Sequence, residues 1–199
     1  MKKSSDYRAE ARTALTGTWP EAIGAILIMS LLVSIANSFG VGFVVSGPLS
    51  VGVSYMFLHR VREGGNINLA DLFRFFDSRF GTSLLAMLLV DLIVVLFAFL
   101  LVVPGIIMLY SYRLVPYLVA EREELTVTDC LRESRRLMKG NKWRAFCLDL
   151  SFIGWLLLGS LACGVGIILV MPYMQAAQAA FAADLLAVED IPTVEEAAL

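Results

Sequence analysis

The chain has 199 residues, 58% of them hydrophobic and 17% charged, with a formal net charge of −2 and a mean hydropathy of +0.76. Counting Gly in place of Tyr lifts the apolar share to roughly 62%, against roughly 45 to 50% in water-soluble domains. That composition excludes a soluble domain and indicates a polytopic membrane protein.

The first 21 residues hold Lys2, Lys3, Arg8 and Arg12, and from there no Asp, Glu, Lys, Arg or His occurs until His59, a run of 37 residues. Between Phe80 and Ala120 only Asp91 and Arg113 interrupt 41 residues, and Asp149 and Asp184 bracket an uncharged run of 34. A helical span needs about 20 residues to cross a core of roughly 30 Å. Each block therefore predicts two spans joined by a tight turn, over 22–39, 43–60, 82–102, 104–120, 145–162 and 166–184. One long tilted helix per block would overshoot the bilayer. The expected architecture is all-α: six transmembrane helices in three hairpins, within one integral membrane domain over 1–186. From Asp184 onward the chain carries five acids and no base, so 187–199 reads as an acidic mobile tail.

The cations set the orientation. All but Arg113 of the 16 Lys and Arg fall in the N-terminal segment, in 59–79 or in 121–144, and three hairpins put these on one face. The positive-inside rule makes that face cytoplasmic, with both termini inside and external turns near Gly40, Val103 and Gly164. Ala36-Asn37-Ser38 loosely fits a signal-peptide cleavage site, but the apolar run continues to Leu58 and the segment before it is long for a signal.

The pattern also repeats three times, over about 4–63, 67–122 and 126–186. Each unit opens on a short amphipathic segment, reaches a Gly (Gly17, Gly81, Gly140), enters an apolar helix, and returns on a helix led by Pro (Pro48, Pro104, Pro172). Proline at a first helical turn loses no intrahelical bond. Trp19 and Trp143 follow the first and third Gly at the membrane entrance, where indoles anchor at headgroup level. Thr126 with Asp129 fits a capping box. Behind it Val127, Cys130, Leu131, Ser134, Leu137 and Met138 form one face, while Arg132, Arg135, Arg136 and Lys139 point away. Asn68 with Asp71 begins a similar pattern, with Leu69, Leu72, Phe73, Phe76 and Phe80 as the apolar stripe. Such helices either dip into the acyl boundary with their cations on anionic headgroups or pack under the bundle as anchors.

Chemistry concentrates in Asp91 and Arg113. A charge at mid-bilayer costs at least about 2.5 to 3.5 kcal/mol, and the two positions are symmetric about a turn beside Pro104, so the hairpin brings them to one depth and predicts a pair. Asp149 can join them. Pro116 lacks the N–H for the carbonyl of Tyr112, which predicts a kink and a free acceptor next to Arg113; with Tyr110 and Tyr112 this makes a polar pocket. The site reads either as a structural ion pair or as a substrate or proton site.

Enzymatic readings are weak. His59 sits at a helix end beside Arg60 and Arg62, and no GxSxG, HExxH or P-loop occurs. Asp91 and Asp149 lack the context of an aspartyl protease dyad. Cys130, Cys147 and Cys163 form neither CxxC nor CxxxC, against a disulfide framework or metal cluster. No cofactor or metal is expected, and the weakly charged basic loops are explained by topology rather than nucleic-acid binding.

The stretch from Leu137 to Phe146 (LMKGNKWRAF), followed by Ser151-Phe-Ile-Gly-Trp155, resembles the bacterial domain-of-unknown-function family 975. Pro104-Gly-Ile-Ile, Tyr110-Ser-Tyr112 and Met171-Pro-Tyr173 support the likeness, while Ala182 stands where the family favours Tyr. A more distant similarity is to the membrane domain of some glycerophosphodiester phosphodiesterases, whose catalytic module this sequence lacks. The resemblance implies a bacterial integral membrane protein and transfers no catalytic residue. Two functions follow as expectations. One is a non-catalytic module that interacts with lipids, chiefly anionic headgroups at the cytoplasmic face, or with protein partners or a second copy, in envelope homeostasis or self-protection. The other is a small transporter or transporter subunit using Asp91 and Arg113.

Overall fold

The structure is a computed structural model that describes residues 3–64, 66–77, 79–161 and 165–189. The described residues form helices and connecting turns. α1 is Ser4–Leu15, α2 Trp19–Ser38 and α3 Gly42–Glu63; a 3-10 turn, Leu69–Phe73, runs into the single-turn α4, Arg74–Asp77. α5 is Phe80–Leu100, α6 Val102–Ser111, α7 Val115–Glu121, α8 Val127–Leu137, α9 Lys142–Leu161 and α10 Val165–Glu189.

Among the described residues five stretches are long and apolar enough to cross a membrane: Trp19–Ser38, Gly42–Glu63, Phe80–Phe99, Val102–Glu121 (α6 with α7) and Gly166–Ala187. α9 also has 20 residues and carries Lys142, Arg144 and Asp149 in its first half. Long apolar side chains lie exposed along several helices, among them Leu31, Leu92, Leu96, Phe99, Leu157 and Leu169. An apolar surface of that extent is at home in lipid rather than water.

α3 is the hub. It packs against α2, α5, α7, α10 and the 3-10 turn, and 61% of its span is buried against 11% for α5. Its tightest approach to another segment's backbone is at Gly52, where an added Cβ would collide with the carbonyl of Leu72. α2 packs on α3, α5 on α6 and α9 on α10. Gly40 turns the first of these pairs with φ +72°. Leu101 turns the second, with Gly105 against the backbone of Ala98. Gly159 and Gly166 let α9 and α10 touch backbone to backbone. The expected turn at Gly164, and Cys163, lie outside the described residues.

Several expectations need correction. Of the three prolines expected to lead return helices, only Pro104 sits in a first helical turn. Pro48 and Pro172 lie inside α3, which begins at Gly42, and α10, which begins at Val165, and each proline forfeits an intrahelical bond. Gly17 and Gly140 share the same left-handed backbone, φ +84°; Gly81 instead lies inside α5 and is no counterpart. In the Asn68 segment the cap holds, since the Asn68 side chain accepts from the Ala70 N–H, but the stripe differs. The three-residue period of a 3-10 turn puts Leu72 and Phe75 inside and leaves Phe73 outside. α10 continues as helix to Glu189, so 187–189 belong to it rather than to a tail; 190–199 lie outside the described residues.

At α8 the hydroxyl of Thr126 accepts from the Asp129 N–H at 3.3 Å, and the Asp129 carboxylate accepts from that hydroxyl rather than from the Thr126 backbone. Cys130, Leu131, Ser134 and Met138 are buried, while Arg132, Arg135 and Arg136 face outward. The inner face packs against α5 and α7, which is the anchoring arrangement.

Candidate intramembrane polar site

The fourth apolar stretch is one run in sequence and two helices in space. α6 stops at Ser111 and α7 restarts at Val115 with Pro116 in its first turn, as the missing proline N–H requires. The Tyr112 carbonyl is not left free, as the sequence suggested, because the Val115 N–H turns back to it at 3.1 Å. The groups still open are satisfied from α8. Ser134 donates its hydroxyl to the Ser111 carbonyl at 2.9 Å and accepts from the Leu114 N–H at 3.3 Å. Ser134 is fully buried, and a broken helix among apolar spans is stable only when such groups are paired.

The break aims Arg113 at α9. Its guanidinium holds Asp149 bidentately, Nη1 to Oδ2 at 2.5 Å and Nη2 to Oδ1 at 2.7 Å. Tyr110 donates its hydroxyl to the same Oδ2 at 2.9 Å, and its ring lies 5.5 Å from the guanidinium carbon. Asp149 thus takes the place foreseen for Asp91. Asp91 stands on the exposed side of α5 with no hydrogen-bond or ion-pair partner among the described residues. Equal depth in a hairpin fixes height but not azimuth, and the Tyr112–Leu114 turn rotates Arg113 away from α5. Tyr112 is buried in that turn and does not bond Asp149.

A second cluster repeats this chemistry and was not foreseen. Tyr7 donates to Asp184 Oδ2 at 2.6 Å, Arg144 Nη2 lies 3.3 Å from the same oxygen, and Arg144 donates to the Tyr7 hydroxyl at 2.6 Å. It ties α1 to α9 and α10. Burial first, then the Asp184 carboxylate, push the Tyr7 phenol well above its ordinary range. Asp184 looked like the start of the acidic tail only because its partners are 40 and 177 residues away.

Beside Arg113 lies a cavity of about 160 Å³ whose walls include Ser50 and Ser54 of α3, Tyr117 of α7 and Gln175 and Gln178 of α10. Neither Gln amide has a hydrogen-bond partner among the described residues. Two amides at i and i+3 inside an uncharged run of 34 residues were the available signal in sequence.

The other predicted positions are peripheral. His59 sits 3.3 Å from Glu63 at an exposed helix end. Trp143 is 71% exposed and Trp19 partly buried against the core. Among the described residues Cys130 and Cys147 are free thiols, and no group of three His, Cys, Asp or Glu could hold a metal ion.

A helical bundle with five membrane-length apolar stretches among the described residues, and with Arg113 and Arg144 matched by aspartates, is a multi-pass membrane protein. By sequence it belongs to the family described as "Protein of unknown function (DUF975)", whose model matches residues 1–115 and 99–189. No curated protein and no solved structure matches the chain. These comparisons do not show the more distant likeness to the glycerophosphodiester phosphodiesterase membrane domain.

Proposed function

We propose that the protein is a six-span, non-catalytic module of the bacterial cytoplasmic membrane, with α9 as the sixth span and both termini inside, acting through contacts with lipids and membrane partners. The observation that carries this reading is the state of Arg113. Locked bidentately to Asp149 and flanked by Tyr110, it serves as a joint between the second and third helix pairs rather than as an open charge. The outward cations of α8 support a cytoplasmic, headgroup-facing position for that helix.

One observation favours a small transporter instead: the cavity beside Arg113 offers Gln175 and Gln178 to a small polar solute. The double variant Gln175→Leu/Gln178→Leu separates the two. Under the module reading it folds with normal yield and complements a deletion strain as well as the parent protein. Normal yield with lost complementation would move the assignment to a solute site.

A further inference from the structure

We propose that the trough between α6 and α9 is a binding site for one anionic phospholipid, its acyl chain along the apolar wall and its phosphate at Lys142. The inference rests on the membrane reading above and specifies the lipid contact it leaves open. The trough holds about 250 Å³ and is lined by Ile106, Ile107, Tyr110, Lys142, Trp143 and Phe146. Its polarity is graded: a lysine and an indole at the start of α9, then Phe146 and Tyr110, then two isoleucines of α6. A phospholipid has the same gradient from headgroup to chain.

The aromatic wall is built and rigid. Trp143 stacks on Phe146 with centroids 5.2 Å apart and planes at 29°, and Tyr110 meets Phe146 edge-on at 6.1 Å. Tyr110 is held in turn by Asp149, so the wall is fixed to the Arg113 joint. Trp143 nevertheless exposes 71% of its surface, leaving an indole face open to a neighbour from the bilayer.

Charge decides which lipid. Arg113, Arg136 and Arg144 each face a carboxylate of this chain. Lys142, at the mouth of the trough, meets none among the described residues. An unmatched ammonium group at the mouth of an apolar slot selects a headgroup with net negative charge, and a basic group near a membrane surface favours an anionic lipid by about five-fold.

The test uses the full chain with Trp19→Phe and Trp155→Phe, leaving Trp143 as the sole tryptophan, reconstituted with brominated phosphatidylglycerol or brominated phosphatidylcholine at equal mole fraction. The expected result is a several-fold higher relative affinity of the quenching phosphatidylglycerol, abolished by Lys142→Gln with circular dichroism and elution volume unchanged. Equal quenching by both lipids would overturn the site while leaving α9 in the bilayer. Quenching by neither would remove Trp143 from lipid and overturn the membrane placement of α9 itself. Should Lys142→Gln fold poorly, the salt dependence of the parent protein serves instead: preference for phosphatidylglycerol must fall as ionic strength rises, and an unchanged preference would count against the lysine.

Discussion

Asp149 and Asp91 are chemically alike and differ in surroundings. Asp149 receives three hydrogen bonds from Arg113 and Tyr110, whereas Asp91 faces outward on the least buried span. Removing one partner of a shielded ion pair strands the other charge and costs about 3 to 5 kcal/mol. Asp149→Asn and Arg113→Gln should each sharply lower folded yield in detergent, with the reciprocal exchange Arg113→Asp/Asp149→Arg recovering part of it. Asp91→Leu should leave yield unchanged or raise it, since it removes a carboxyl from an apolar face; the reverse order of effects would sink the assignment. Cys130 offers a separate check. Burial raises its thiol pKa, so at pH 8 it stays protonated and unreactive, and maleimide should label it only after denaturation.

The elements were legible in sequence to the extent that one property fixed them. Charge-free runs gave the apolar helices to within a few residues, because length and hydropathy suffice. Pro116 gave the break in the fourth stretch, because a missing N–H is local chemistry. What closes the break was not legible: Ser134 lies 20 residues from Leu114, and an amphipathic pattern marks it merely as an inner-face residue. Ser134→Ala leaves the Ser111 carbonyl and the Leu114 N–H open among apolar helices, at roughly 1 to 3 kcal/mol. Its melting temperature should fall while Ser134→Thr retains most of the stability. Gly52 makes a sharper case. Gly52→Val drives a branched side chain into the Leu72 carbonyl and should cost more than Ser134→Ala in the same thermal assay, because backbone on both sides must yield.

Across the whole molecule, two Arg–Asp–Tyr clusters join segments distant in sequence: Arg113 with Asp149 and Tyr110, and Arg144 with Asp184 and Tyr7. The first ties the broken stretch to α9, and the second gathers α1, α9 and α10. Pairing inside one hairpin would have left the helix pairs free to slide; pairing between elements fixes their relative height. Hairpin symmetry could not reveal this, since it relates only positions within one pair, and the partners of Arg144 become visible once the fold closes. Gly17 and Gly140 share one left-handed backbone ahead of α2 and α9, while a 3-10 turn and the single-turn α4 precede α5.

This account depends most on which side of the bilayer the basic segments occupy. Single cysteines at Phe39, beside the Gly40 turn, and at Arg132, on the outer face of α8, report the two sides in a background without the native thiols. Both positions are well exposed. A membrane-impermeant maleimide should label the Phe39→Cys protein on intact cells and the Arg132→Cys protein only after permeabilisation; labelling of Arg132→Cys on intact cells would contradict the account.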